Sequence, residues 1–234
     1  MRHIPWHWNE AAIRETTSYC AVQAWLEEAT NTPGLWALIG PPGVGKTFGA
    51  VSYAIQNQVD YICPTPRKSD TPTAFARELC SVLGVANANG SPIDALYAHC
   101  ENARVRLIID EAVRLSRTQL ELIRDLSDRY PIAVVLVGTG NLARKLAYYD
   151  TIVHRVAGVF QVPPLTLSDL RMLIGDTGVA ESVYKRTGGN WRYICRILER
   201  LENYPAQTPG IVHEIADQVI LDPARFKTQR NGDT

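Results

Sequence analysis

The eight residues Gly40-Pro41-Pro42-Gly43-Val44-Gly45-Lys46-Thr47 combine three glycines, one ammonium and one hydroxyl at the spacing of a phosphate-binding loop. In such a loop the glycines let backbone N–H groups turn inward around the β- and γ-phosphates of a nucleoside triphosphate. Lys46 adds a positive point charge, and Thr47 offers a hydroxyl to Mg²⁺. A second chemistry-bearing group, the carboxylates Asp110 and Glu111, closes the run Arg106-Leu107-Ile108-Ile109. A buried strand that delivers acids to its carboxyl end beside a phosphate loop suits Asp110 to orienting Mg²⁺, and Glu111 to polarising the water that attacks the γ-phosphate. A third apolar run, 132–137, ends in Gly138-Thr139-Gly140-Asn141, where a short polar side chain can hold the attacking water. Thr139 and Asn141 both qualify, and Asn141 is also suited to capping a helix that starts at Leu142.

Two arginines stand out by position. Arg155 immediately precedes the last apolar run, and Arg192 falls in the first turn of a predicted helix, where its charge opposes the helix dipole by a few tenths of a kcal/mol. An unfavourable placement invites a functional explanation, and Arg192 is a candidate to reach the nucleotide phosphates.

The elements that must position these groups follow from periodicity. Helical spacing begins at Thr17 and runs to about Ala29, and Asn31-Thr32-Pro33-Gly34 ends it before a strand over 35–39. The loop then opens a helix to about Gln56. Further strands are expected at 60–63, 105–109 and 132–137, with a weaker one at 159–162, and helices at 73–83, 93–100 and 117–129. Strands that alternate with helices imply a parallel sheet covered on both faces. After Pro163-Pro164 only helices follow, at 168–174, 179–186, 191–201 and 211–220. The expected organisation is an arm over 1–16, holding His3, Trp6, His7 and Trp8 without clear periodicity, an α/β nucleotide-binding domain over 17–164, a helical lid over 165–221 and a polar tail over 222–234.

Composition narrows the function classes. Lys plus Arg equals Asp plus Glu at 24 each, so any attraction for nucleic acid must come from a local patch. The cysteines Cys20, Cys63, Cys80, Cys100 and Cys195 form no C-x-x-C pattern, which argues against a zinc site or a disulfide framework and for a cytoplasmic setting. The sequence shows neither a signal peptide nor an apolar run of about 18 residues, so no membrane partner is expected.

The phosphate loop, the Asp-Glu pair, the polar residue after the fourth strand and the helical lid with its arginine resemble an AAA+ ATPase, in that family's order and over almost the whole chain. The resemblance implies a P-loop NTPase fold with a five-stranded parallel sheet of order 5-1-4-3-2, ATP and Mg²⁺ as cofactors, and an active site shared between subunits. It also implies head-to-tail self-assembly into a ring or helical filament, with Arg155 in the place of the arginine finger that acts on a neighbour. Within the family, the compact lid and the spelling Leu136-Val137-Gly138-Thr139-Gly140-Asn141-Leu142 are similar to the DNA-transposition regulators, the group of phage Mu's B protein and the TnsC and TniB ATPases. That likeness implies duplex DNA and a transposase or other recombination protein as partners. Mu's B protein carries an N-terminal DNA-binding domain that the residues before Thr17 are too few to match, so DNA contact is expected from the ATPase module itself.

For that contact Arg67 and Lys68, after the second strand, offer adjacent charges suited to phosphates. Arg114 and Arg117 are second candidates, although Arg117, Glu121, Arg124 and Asp128 also read as i, i+4 pairs on a solvated helix face. The resulting expectation is a DNA-bound ATPase that regulates transposition. The alternatives are a helicase or clamp-loader ATPase, which shares every nucleotide motif, and a nucleotide-dependent switch that binds protein instead of DNA.

Overall fold

A computed structural model describes residues 10–64, 71–85, 90–204 and 206–220. In chain order the elements are α1 (Glu10–Arg14), α2 (Thr17–Asn31), β1 (Gly34–Ile39), α3 (Lys46–Asn57), β2 (Asp60–Ile62), α4 (Pro72–Val82), α5 (Pro92–Asn102) and β3 (Arg106–Ile109). A 3₁₀ turn (Ala112–Arg114) leads to α6 (Arg117–Arg129), β4 (Ala133–Gly138), α7 (Gly140–Tyr148), α8 (Asp150–Val153) and β5 (Val156–Gln161). The last helices are α9 (Leu167–Ile174), α10 (Thr177–Thr187), α11 (Trp191–Leu201) and α12 (Pro209–Val219). Two compact units result, one of residues 20–163 and one that joins residues 10–19 to 164–220.

The larger unit is built on five parallel strands in the order β2-β3-β4-β1-β5, which is 5-1-4-3-2 read from the other edge. Successive side chains on a strand point to opposite faces, and β1 shows the consequence. Leu35 and Ala37 join the core under α4, α5 and α6, while Trp36 and Leu38 join the core under α2 and α3. The strands buried on both faces are runs of Leu, Ile and Val, as parallel sheets require.

Helix boundaries follow local chemistry. Pro72 and Pro92 occupy first turns behind the capping hydroxyls of Thr71 and Ser91, and Ser116 with Gln119 closes a capping box on α6. The outer strand β5 starts three residues earlier than its apolar run suggests, because Ala157 and Gly158 hide it from a propensity reading. A Cβ on Gly158 would stand 2.7 Å from the Trp36 ring, so the close approach of that indole requires glycine.

In the smaller unit α9–α12 pack around Leu170, Val183, Ile194, Ile197 and Ile215. The expected arm is partly helical, since Glu10–Arg14 forms α1, with Ile13 buried and Thr16 donating to the Ile13 carbonyl. Five residues are too few for a periodicity to be legible. Asp169 ties this unit together: Oδ1 accepts from the backbone N–H and hydroxyl of Thr17, and Oδ2 from those of Thr166. One carboxylate thereby caps the starts of α2 and α9. Burial pushes the acid's pKa up, but these hydrogen bonds outweigh it and hold Asp169 below the ordinary carboxylate value.

Candidate active site

Parallel strands deliver β1, β3 and β4 to one edge of the sheet, and the site is built from what leaves their carboxyl ends. The phosphate loop leaves β1, Thr139 leaves β4 and Asp110 leaves β3, with β4 between the other two. Gly43 and Gly45 adopt φ of 87° and 98°, the left-handed region where glycine alone is unstrained, and this curls the loop onto the start of α3. A Cβ on Gly45 would meet nothing within 4 Å, so it is the positive φ and not crowding that calls for glycine there. At the root of the loop, the place of a Cβ on Gly40 is hemmed in by the Val162 carbonyl at 3.3 Å and Val44 at 3.2 Å.

Lys46 is buried, and its Nζ donates to the Gly40 and Pro41 carbonyls at 2.9 and 2.8 Å, so the ammonium is held across the loop. Thr47, one residue on, is exposed. Asp110 is 3% exposed, and its two oxygens have separate donors: the Glu111 backbone N–H reaches Oδ1 at 2.7 Å and the Tyr61 hydroxyl reaches Oδ2 at 2.9 Å. Burial and the neighbouring Asp110 carboxylate push the Tyr61 phenol far above its ordinary pKa, so it remains a donor.

Glu111 sits at φ 51° and ψ 36°, a left-handed conformation that costs a non-glycine residue about 1–3 kcal/mol. The bond from its N–H to Asp110 and the one from Arg114 N–H to its carbonyl, at 2.9 Å, hold it there. Strain of this kind persists where the surroundings fix it, and here it sets the acid intended as base at a sharp bend after β3.

Among the described residues no three or more His, Cys, Asp or Glu side chains form a metal cluster. A hydroxyl at Thr47 and one fixed carboxylate at Asp110 suit a Mg²⁺ that takes its remaining ligands from phosphates and water. The residues therefore fit ATP with Mg²⁺, and the metal supplies charge neutralisation to the β- and γ-phosphates when bound. What the chain itself brings to this edge is the glycine-curled loop with the Lys46 ammonium held across it, and the Glu111 carboxylate at the bend after β3, a candidate to take a proton from water.

The other anticipated residues divide by location. Thr139, not Asn141, caps the helix after β4: its hydroxyl accepts from the Asn141 N–H at 3.3 Å, and α7 starts at Gly140, two residues before Leu142. Of the two polar residues that flank Gly140, the one with extended backbone becomes the cap, and Asn141 instead accepts from Arg144. Arg155 lies in the turn between α8 and β5, 58% exposed, with NH1 3.6 Å from Asp128 Oδ1. It stands at the amino end of β5, so the six residues of that strand, about 20 Å at ~3.3 Å per residue, separate it from the edge that carries the phosphate loop. Arg192 is exposed on the first turn of α11, in the smaller unit, behind the cap Asn190.

Arg67 and Lys68 lie outside the described residues. Arg117 forms the anticipated i, i+4 pair with Glu121 at 2.8 Å and also stacks over Tyr149, 5.5 Å from the ring centre. Arg114 is exposed, and its NH1 donates to the Pro64 carbonyl at 3.2 Å. Tyr61 escaped the sequence reading because an aromatic residue in a strand reads as core. The signal that finds it is the parallel register of β2 on β3, which a single sequence does not display.

A family model described as an AAA domain matches residues 29–146. No curated protein matches the chain. Among solved structures, Cdc6p from Pyrobaculum aerophilum is 16% identical at a TM-score of 0.64, over 94% of this chain and 70% of its own. The Walker-type ATPase PABY2304 of Pyrococcus abyssi is 19% identical at 0.65, over 94% and 76%, and a point variant of RuvB from Thermotoga maritima 19% at 0.58, over 92% and 74%. At these identities the likeness is one of fold. The matched stretch 29–146 contains both the phosphate loop and the acid pair and covers half of the sequence, so the chain belongs to the AAA domain family, as an ATPase that works with ATP and Mg²⁺.

Proposed function

We propose that the chain is a self-assembling AAA+ ATPase that acts on duplex DNA in the manner of a helicase or clamp-loader motor. The observation that carries the assembly is the position of Arg155, at the opposite end of β5 from its own phosphate loop and exposed. A guanidinium so placed is out of reach of the nucleotide in its own chain, and its exposed pair with Asp128 at 3.6 Å is weak enough to give way on entering a neighbour's site, as an arginine finger does. Head-to-tail packing of identical subunits then repeats the contact in a ring or a helix. Arg192 is assigned to the nucleotide phosphates, and Thr139 or Asn141 to the attacking water.

The DNA side of the proposal draws on the fold shared with Cdc6p and RuvB over more than nine-tenths of this chain. Arg67 and Lys68 remain the first candidates for phosphate contact, and Arg117 is a weaker one because Glu121 already pairs with it. Regulation of transposition, with a transposase as partner, draws on the lid and the 136–142 spelling alone, and the similar structures support the helicase and loader reading better. Electron microscopy of the protein with duplex DNA and a slowly hydrolysed ATP analogue separates these readings. Closed or gapped rings on DNA are expected. A continuous helical coat would favour the transposition reading, and no ATP-dependent DNA retention would favour the protein-binding switch.

A further inference from the structure

We propose that Tyr61 is a positioning residue of the ATPase site, fixing the Asp110 carboxylate in the orientation that the nucleotide-bound Mg²⁺ requires. Tyr61 stands on β2 opposite Ile108 of β3, and Asp110 follows two residues later, so side-chain alternation puts phenol and carboxylate on the same face of the sheet. That face is covered by α3. Tyr61 packs against the cluster that contains Val44 of the phosphate loop and Ala50, Tyr53 and Ala54 of the helix that follows it. The ring is thus held by the same core that seats the loop, and its hydroxyl bridges from there to the acid.

The geometry at Asp110 makes the hydroxyl matter. With Tyr61 on Oδ2 at 2.9 Å and the Glu111 N–H on Oδ1 at 2.7 Å, the carboxylate is pinned at both oxygens, and each keeps lone-pair capacity for a water or a metal. At 3% exposure Asp110 has no bulk solvent to replace the phenol as donor. Space-filling alone would need only the ring. Donors that orient a metal-holding side chain typically govern metal affinity or activity by about 10- to 100-fold.

The proposal rests on the assignment of Asp110 to Mg²⁺, and the test separates the two. Binding of a fluorescent ATP analogue is measured in EDTA and across a Mg²⁺ titration for the wild type, Tyr61→Phe, Asp110→Asn and the double variant. Tyr61→Phe is expected to raise the Mg²⁺ concentration for half-maximal effect by about 10- to 100-fold, and to leave affinity in EDTA within twofold of wild type. It should add nothing to Asp110→Asn, since it acts through that carboxylate. An unchanged Mg²⁺ dependence in Tyr61→Phe, or an equal further loss on the Asp110→Asn background, overturns the role of Tyr61. Wild-type Mg²⁺ dependence in Asp110→Asn itself overturns the metal assignment and this proposal with it.

Discussion

Replacing Asp169 by asparagine changes two atoms' chemistry and nothing of the side chain's shape, which makes its cost calculable. The carboxylate accepts four hydrogen bonds, from Thr17 N at 2.8 Å, Thr17 Oγ1 at 3.1 Å, Thr166 N at 2.9 Å and Thr166 Oγ1 at 2.8 Å. An amide keeps one acceptor oxygen, so either the Thr17 pair or the Thr166 pair meets an NH₂ group instead. A hydroxyl can rotate to accept from that group, but a backbone N–H cannot, and at 5% exposure of Asp169 little water reaches it. One charge-assisted bond lost at about 1.5–3 kcal/mol and one stranded N–H at about 1–3 kcal/mol give a loss of about 3 kcal/mol at neutral pH. Thermal unfolding followed by circular dichroism should show a midpoint lower by about 6–12 °C for a chain of this length. The dependence on pH has a definite sign. The folded-state pKa lies below the unfolded one, so the carboxylate's contribution is complete above the unfolded value near 4 and is lost as pH falls through the folded value. The gap between wild type and variant should therefore be constant from about pH 5 to 7 and close towards pH 2. A gap below about 0.5 kcal/mol at pH 7, or one that widens in acid, would refute the reasoning.

Three further outcomes follow from the geometry. Gly189→Ala places a Cβ 2.1 Å from the Leu165 carbonyl at a φ of +76°, and should destabilise the helical unit by about 3 kcal/mol in denaturant titrations. Arg155→Ala breaks only an exposed pair with Asp128, so melting should move by less than the equivalent of about 0.5 kcal/mol while turnover of the assembled protein falls by about 10³-fold, and mixing with Glu111→Gln subunits should restore part of it. Lys46→Ala removes the buried ammonium of the loop and should abolish nucleotide binding in a fluorescence titration.

Much of the larger unit was legible because its signals are local. The phosphate loop needs eight consecutive residues, the helix over 117–129 shows in its i, i+4 pairs Arg117–Glu121 and Arg124–Asp128, and β3 and β4 are dominated by apolar runs. What escaped depends on contacts between residues distant in sequence. The start of β5 reads as loop because Ala157 and Gly158 have little strand propensity, and Gly158 is required by the Trp36 ring packed against it. The cap after β4 was misplaced because Thr139 and Asn141 are both good caps, and only the backbone angles decide between them. Tyr61 and Asp110 lie 49 positions apart and meet only through strand register, as do Arg117 and Tyr149 through the packing of α6 on α8. Charge runs say least about position: Arg114 is exposed as its sequence position suggests, and only the fold shows that its NH1 donates to the Pro64 carbonyl.

The most direct test of the central claim, that the edge formed by β1, β4 and β3 hydrolyses ATP with Glu111 as base, is turnover and binding measured side by side in wild type and Glu111→Gln. The glutamine keeps size and hydrogen bonding but cannot take a proton, so ATP with Mg²⁺ should bind within a few-fold of wild type while turnover drops by about 10²- to 10⁴-fold. Wild-type turnover in Glu111→Gln would contradict the assignment, whatever the binding shows.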